Sequence, residues 1–555
     1  MPPPGAAPAG GWQPGDRHLV LAGRPENPFI EAQRASPVAG TTACLPPELG
    51  GPLRGAGRLQ AIVCGRGNRT GFAGGATTLA RVNTASHAQP AQSDLDARYR
   101  ARSLWLDGIE GPLTPRPPLP GDRDCDVAII GAGFTGLWTA YYLKRLQPDL
   151  RVVVVEREIA GFGPSGRNGG WAIGGLVGSA STFGLSHGGE PLSRALRVTY
   201  DAIDEIGAVA QREQIDCAFA KIGALTVATS APQWQRLQGT QAGGTAASHG
   251  VPEGTLLSPT EAAQLAAVPH LHGGRFTPHA ARIDPARLVR GLAGACERHG
   301  VIIHEQTAAL ALERGRVDCD RGAIRAEVVI NATESYTTQL PGGRLRYLPL
   351  YSLMISTEPL DEAAWLELGW RDGLLIDDAH YLFFYAQRTS DGRIAIGGRG
   401  APYRLRSPID ERNERDEGVR ARLHATLRRA FPAAAEAAIT HHWGGPLAAP
   451  RDWSMGVQFD RASGLGAAGG YTGHGVLAAN ISGATLADLV LGRETELTAM
   501  PWVGHASRRW EPEPLRYLAS KAIVTTLGAA DRSEDSSGRR ARRVGLLRPF
   551  LPPGH

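Results

Sequence analysis

Three observations predict an α/β fold (α+β overall) in which a Rossmann-like three-layer domain is interleaved with an antiparallel-sheet domain. A strand–turn–helix–strand unit with a glycine-rich turn fills residues 124–156. Segments of similar character return at about 275–340 and 460–495. Between them lie alternating strands and a hairpin signal.

The first unit opens with the apolar strand Val127–Ile130, which runs into Gly131, Gly133, Phe134, Thr135 and Gly136. A helix follows with Leu137, Trp138, Tyr141 and Tyr142 on its apolar face. A second strand, Val152–Val155, ends at Glu156, 20 residues after Gly136. This spacing is shaped to hold a dinucleotide. Gly131 permits the tight turn, Gly133 lets the backbone approach a pyrophosphate, and Gly136 lets the helix pack on the strand. The helix N-terminus points N–H groups at phosphates, and Glu156 can accept hydrogen bonds from a ribose. A glycine motif alone leaves a ligand-free strand–helix turn open; here strand, spacing and terminal acid agree on a dinucleotide. The segment Gly163–Gly170 carries Ser165, Arg167, Asn168, Gly169 and Gly170. It can lie along an extended cofactor, with Arg167 adding charge near the pyrophosphate. A surface loop with one arginine is the alternative.

Further along, Ala218–Thr229 reads as a strand, and Arg346–Thr357 alternates as a half-exposed strand does. Tyr381–Tyr385 and Arg393–Ile396 flank Thr389-Ser390-Asp391-Gly392, a hairpin signal. Asp410–Phe431 reads as a charged helix with Val419, Leu423 and Leu427 as its apolar stripe. The expected layout is a low-complexity disordered extension at 1–95, a body at 96–520 and a tail at 521–555. Within the body, segments at 124–180, 275–340 and 460–495 alternate with segments at 181–274 and 341–459; the family resemblance given below implies that the first set holds the cofactor and the second forms the substrate domain. The working chain is expected to start near Val82–Ser93, with a regulatory arm as the alternative reading of the extension. The basic run Arg539-Arg540-Ala541-Arg542-Arg543 is expected to be solvated.

Composition excludes several classes. A net charge of +5 over 555 residues is small for a dedicated nucleic-acid protein. Gly and Pro are abundant, 71 and 40, and the extension lacks the apolar periodicity that would offset the entropy of ordering. Six cysteines stand apart at 44, 64, 125, 217, 296 and 319, with no Cys-x-x-Cys pair, so they read as small buried hydrophobes. His441-His442 and His270/His272 lack a third clustered ligand, and no metal is expected. No run of 18 apolar residues and no secretory leader pattern is present, so neither a membrane nor a nucleic-acid partner is expected, and the expected location is cytoplasmic.

The motif at Gly131–Gly136, the acid Glu156 and Ser165-Gly166-Arg167-Asn168-Gly169-Gly170-Trp171 resemble the FAD-dependent oxidoreductases related to D-amino-acid and glycine oxidases. The nearest branch resembles the gamma-glutamylputrescine oxidoreductases. The resemblance continues through Ala281-Arg282-Ile283-Asp284-Pro285, Val328–Thr337, Asp391–Arg399, Gly470–Val476, Pro501-Trp502 and Arg508–Pro512. It implies noncovalent FAD, with Arg157, Ala309, Ala332, Gly473, His474, Gly475 and Val476 joining the earlier residues around it. It implies oxidation of the C–N bond of a small-molecule amine or amino acid to an imine by hydride transfer to flavin. A gamma-glutamylated polyamine and an N-substituted amino acid are the named options, with oxygen or another electron acceptor completing the cycle. His474, Tyr385 and Tyr351 are the candidate catalytic residues and Trp171 a pocket wall; ordinary packing is the alternative for each. One departure stands out: Gln387 occupies the place of a family arginine, which puts simple amino-acid anchoring in doubt. The alternatives are an amine dehydrogenase with a non-oxygen acceptor, an RNA-modifying flavoprotein, and a flavin-binding protein without turnover.

Overall fold

The computed structural model describes residues 92–185, 189–242, 254–399, 403–406 and 409–545. These belong to one compact unit, His87–His555. The expectations for residues 1–91, including Cys44 and Cys64, lie outside the described residues.

The first sheet runs in the order Gly456–Asp460, Leu465–Gly469, Gly322–Asn331, Arg123–Ile130, Val152–Val155, Ile302–His304. Its last five strands are parallel neighbours. Strands buried on both faces read as continuous apolar runs, which is why Val152–Val155 is four valines. Val127, Ile129, Val152 and Val154 face helices that include Phe134–Leu146, Pro285–Arg298 and Gly475–Leu491. Ala128, Ile130, Val153 and Val155 face the strands Ala309–Glu313 and Arg316–Cys319. Three layers result, each fully buried valine contributing roughly 1.5–3 kcal/mol.

The second sheet runs Ile439–Ala449, Leu348–Thr357, Ile394–Arg399, Phe384–Arg388, Leu375–Asp378, Ala224–Ala228, Gly273–Thr277, Thr255–Leu257. It is antiparallel except where Leu375–Asp378 meets Ala224–Ala228. One face packs under the helix Glu417–Ala430 through Leu225, Val227, Leu353, Ile355, Ile376, Ile396, Val419, Leu423 and Leu427. The hairpin at Thr389–Arg393 joins Phe384–Arg388 to Ile394–Arg399, the first strand starting three residues later than the expected Tyr381–Tyr385.

Several boundaries differ from the sequence reading. The helix Gln92–Arg100 starts four residues inside the expected extension and buries Tyr99. The helix expected from Asp410 starts at Glu417, because the Asp416 side chain caps it by accepting from Val419 N. The helix Gly189–Arg212 packs in the core of the first sheet, and so does the strand Gly456–Asp460 through Val457. Arg275 lies in the second sheet rather than opening a cofactor segment. The largest difference is at the C-terminus. Residues from 521 form the body of a helix, Leu515–Ser537, whose Leu527, Ala530, Asp531 and Glu534 are buried. Asp531 accepts from the backbone N–H groups of Tyr381 and Leu382 at 2.9 and 3.0 Å. Arg539, Arg540, Arg542 and Arg543 beyond it are exposed.

Candidate active site

A cavity of about 830 Å³ runs from the C-terminal ends of the strands Arg123–Ile130 and Val152–Val155 to the open face of the second sheet. Open α/β sheets bind ligands at that end of their strands.

At the first end the chain turns at Gly131, whose φ is +101° and whose added Cβ would lie 3.0 Å from the Ala332 carbonyl oxygen. A Cβ at Gly136 would lie 2.0 Å from the Gly131 carbonyl oxygen, so the helix sits directly under the turn. At Gly133 it would lie 2.9 Å from Ser165 Oγ. That hydroxyl already accepts from Phe134 N at 2.9 Å. The Glu156 carboxylate accepts from Ala132 N at 2.9 Å and from Glu158 N at 3.0 Å. Burial pushes its pKa up to about 7 against these two bonds. Held there on the cavity wall, it retains acceptor capacity for a hydroxyl. Phe134, Thr135, Arg157, Ala309 and Ala332 line the same wall.

The loop from Ser165 to Gly170 is held by its own side chains. Asn168 Nδ2 donates to the carbonyls of Pro164 and Ser165, and its Oδ1 accepts from Gly170 N. Arg167 lines the cavity with its charge already paired inside the protein. It is buried, it pairs with Glu414 at 2.6 Å, and it donates to Gly444 O and Tyr336 Oη. Glu414 also takes Arg102. A buried guanidinium needs such a partner, and the partner comes from a distant segment the local motif cannot reveal.

A second helix start, Gly475–Leu491 preceded by Gly473 and His474, meets the cavity from another side, and all four residues Gly473–Val476 line it. Glu334, absent from the sequence-derived set, organises this turn. Its carboxylate accepts from Ala448 N at 2.8 Å and from Gly470 N and Tyr471 N at 3.2 Å each. Burial pushes its pKa up to about 7. Tyr471 Oη bonds Thr135 Oγ1 at 2.9 Å, tying the two helix starts together.

Of the three candidate catalytic residues, His474 and Tyr385 line the cavity and Tyr351 does not. Alternation along Leu348–Thr357 sends Ser352 to the cavity and Tyr351 into the opposite core, where its hydroxyl accepts from Asp410 N. Tyr385 bonds Ser352 Oγ at 2.7 Å and meets Trp171 edge-on at 6.2 Å. Gly169 must be glycine beside it, since a Cβ would lie 2.6 Å from the Tyr385 ring. Gln387 lies behind this wall, donating to Gly169 O at 2.6 Å. It fastens the loop to the sheet and sits under Gly170, outside the cavity lining.

The far end of the cavity carries residues that the sequence reading missed: Thr226, Arg236, Arg275, Asp377, Asp378 and His380. Arg236 is held by Glu534 at 2.7 Å and by Ala379 O. His380 lies between Asp378 and Asp535, at 2.5 and 3.0 Å. Burial opposes its charge, yet these carboxylates push its pKa up to about 10.

Among the described residues no three His, Cys, Asp or Glu side chains converge on a metal position. Cys125, Cys217, Cys296 and Cys319 are buried and free, and burial pushes Cys125 and Cys319 up to about 11. Among the described residues no helix is long and apolar enough to cross a membrane.

A dinucleotide bearing a second ring system fits this arrangement. The three glycines let turn, loop and helix pack closely at its nucleotide end, Glu156 stands at the end of the second strand, and two helix starts face one elongated cavity. Comparison with known proteins agrees. The family model described as FAD dependent oxidoreductase (DAO) matches residues 126–489. The chain is 30% identical to the probable oxidoreductase OrdL of Rhizobium meliloti over 394 residues, covering 69% of this chain and 86% of that protein. It is 27% identical to the gamma-glutamylputrescine oxidoreductase of Escherichia coli, covering 69% and 87%. The crystal structure of glycine oxidase from Geobacillus kaustophilus shares the fold with a TM-score of 0.57 at 20% identity, over 70% of this chain and all of that one. With the glycine cradle, the acid at Glu156 and the family model in agreement over most of its body, the chain belongs to the DAO family of FAD-dependent oxidoreductases.

Proposed function

We propose that the protein oxidises the C–N bond of an amine, or of an amino acid with a substituted or extended amine, to an imine, holding its FAD noncovalently. The observation that carries this reading is the single cavity that joins the glycine cradle to a polar sheet face through Tyr385, Ser352 and His474. FAD, when bound, supplies the hydride acceptor. The chain supplies position and electrostatics. The start of the helix Gly475–Leu491 offers N–H groups that favour negative charge. Tyr385 and Trp171 form a wall against which an alkyl chain can lie. His474, at the head of that helix, lines the cavity and would bond either flavin or substrate. The gamma-glutamylputrescine oxidoreductase relative supports a gamma-glutamylated diamine over a simple amino acid. So does Gln387, which leaves no arginine at the position from which a family carboxylate anchor would come.

The test is anaerobic mixing of the yellow protein with gamma-glutamylated diamines, polyamines, N-methyl amino acids and simple amino acids. Bleaching by one amine class is expected. It should quicken as pH rises through an ionisation of the complex, because only the neutral amine gives up hydride. Bleaching by an alcohol or hydroxy acid and by no amine would overturn the reading. Admitting oxygen afterwards separates an oxidase from a dehydrogenase.

A further inference from the structure

The loop from Ser165 to Gly170 has four consecutive carbonyls held by side chains from other segments. Ser103 Oγ donates to Gly166 O at 3.0 Å and Trp443 Nε1 to Arg167 O at 2.9 Å. Trp105 Nε1 donates to Asn168 O at 2.8 Å and Gln387 Nε2 to Gly169 O at 2.6 Å. The two indoles meet edge to face at 6.3 Å and belong to a buried cluster with Tyr99, Leu106 and Met354. Neither indole lines the cavity, whereas Arg167, Asn168 and Gly169 do. The loop is therefore a single layer, with the indoles behind it and the cavity in front.

In a planar trans peptide the N–H points opposite to the carbonyl. The carbonyl that Trp443 holds shares its peptide with Asn168 N–H. The carbonyl that Trp105 holds shares its peptide with Gly169 N–H. Both N–H groups are thus turned toward the cavity, and among the described residues neither has an acceptor. The flanking peptides differ. Arg167 N–H is bonded to Pro164 O at 3.1 Å, and Gly170 N–H to Asn168 Oδ1 at 2.8 Å. Two adjacent backbone donors stay open, and they are the two in front of the indoles.

Their place along the cavity indicates what they meet. Ser165 bonds Phe134 N at the glycine cradle, where a dinucleotide has its pyrophosphate. Gly169 lies against the Tyr385 ring, where the cavity opens onto the second sheet. The open pair therefore stands beyond the pyrophosphate, on the side of the redox-active ring. That ring gains negative charge on reduction, and preorganised backbone N–H groups stabilise such charge. A carbonyl rotated into the same place would repel it.

We propose that Trp105 and Trp443 are positioning residues for the reduced flavin: by holding the Asn168 and Arg167 carbonyls behind the loop, they keep the Gly169 and Asn168 N–H groups aimed at the charge that reduction brings. Neither indole touches the cavity itself. Trp105 also lies ahead of residues 126–489, which the family model spans. The proposal rests on FAD binding and does not depend on which substrate is oxidised.

The experiment measures the two-electron reduction potential of full-length FAD-loaded protein by equilibration with reference dyes, with no amine present. Trp105→Phe and Trp443→Phe each keep an aromatic ring and remove the indole N–H. Each is expected to disfavour the reduced form at least about tenfold, a fall of about 30 mV for a two-electron couple. Two comparison variants lose a buried hydrogen bond with no open N–H in front of it. Trp370→Phe removes an indole bond to Leu374 O, 2.9 Å long, in the core of the second sheet. Ser103→Ala releases the Gly166 carbonyl, whose peptide N–H is already bonded. Both should lower the melting temperature and leave the potential where it was. An unchanged potential in Trp105→Phe or Trp443→Phe, or an equal fall in Trp370→Phe or Ser103→Ala, would overturn the proposal. If a tryptophan variant fails to keep its FAD, hydrogen exchange of the unaltered holoprotein decides. Chemical reduction of the flavin should slow two amides within residues 166–170 at least about tenfold. Equal exchange in the two oxidation states would count against the open pair and sink the assignment.

Discussion

At the nucleotide end of the cavity the polar groups are backbone amides and side chains already bonded to one another, whereas at the sheet end they are side chains set in one transverse row. Ser165, Asn168 and Arg167 spend their hydrogen bonds on Phe134, Gly170, Gly444 and Glu414. What this end offers a ligand is mainly shape, two helix starts and the Glu156 carboxylate. The sheet end offers Tyr385, Asp377, Thr226 and Arg275 from strands that meet only through register. The contrast is between a site built within a few dozen residues of chain and one that exists only once the sheet has formed. It accords with a cofactor that is common to a family and a substrate that is not.

The largest expected effect tests whether the nucleotide end is held by internal pairing. Glu414→Ala leaves Arg167, 2% exposed, without its carboxylate, while Arg102 beside it keeps Glu411 at 2.8 Å. Breaking a buried pair from one side costs about 3–5 kcal/mol. The unfolding midpoint should drop accordingly, while the FAD affinity of the molecules that remain folded changes little. If instead stability holds and FAD binding collapses, Arg167 is a cofactor ligand and the contrast is wrong.

Glu156→Ala comes next. Loss of a hydrogen bond to a charged group costs about 1.5–3 kcal/mol, so FAD should bind roughly tenfold or more weakly. Glu156→Gln should be milder. An Ala variant that is folded and keeps its FAD affinity would move the ribose contact elsewhere.

How much of this was legible follows the same division. The strand Val152–Val155 reads correctly to the residue because a strand buried on both faces has no polar position to blur it. The turn at Gly131 and the helix packing at Gly136 are local in sequence, and the structure has both, with φ +101° at Gly131 and a Gly136 Cβ that would meet the Gly131 carbonyl. Tyr351 failed because one residue of register decides the face, and Ser352 takes the cavity side. The C-terminal helix failed for a different reason. Its buried residues include Arg516, Asp531 and Glu534, which hydropathy assigns to solvent. They are buried because Tyr381, Leu382 and Arg236 supply partners from other segments and Glu513, just ahead of the helix, supplies one for Arg516. The Arg275–Tyr385 row was invisible because its members are ordinary alternating positions in four separate strands.

Titration divides the pH dependence of stability into two windows. Burial raises Glu156 and Glu334 to about 7 from an ordinary 4.5, so the folded state keeps protons that the unfolded chain releases. Stability should therefore fall as pH rises from about 4.5 through about 7. His380 has the opposite charge type. Its raised value, about 10 against 6.5, gives stability that is full below about 6.5 and lost as pH rises through about 10. Urea midpoints across this range should show two descending regions. His380→Gln should abolish only the upper one, loosening the helix Leu515–Ser537 through Asp535. A single slope unaffected by that change would mean that the His380 pairs are not formed in solution.

The smallest expected effect lies where the two ends meet. Tyr385 touches Gly169 of the cofactor loop with its ring and Ser352 of the sheet with its hydroxyl. Tyr385→Phe keeps the ring, and with it the wall against Gly169 and Trp171, and removes one neutral hydrogen bond. Such a bond is worth about 0.5–1.5 kcal/mol. The double variant with Ser352→Ala should cost little more than either single change, because both remove the same bond. Flavin reduction by the best amine should slow by roughly tenfold at most, the rate equivalent of that energy. A loss of several orders of magnitude in Tyr385→Phe, with FAD content and melting unchanged, would make the phenol a participant in the chemistry. The junction between the two ends would then belong to the reaction rather than to the wall.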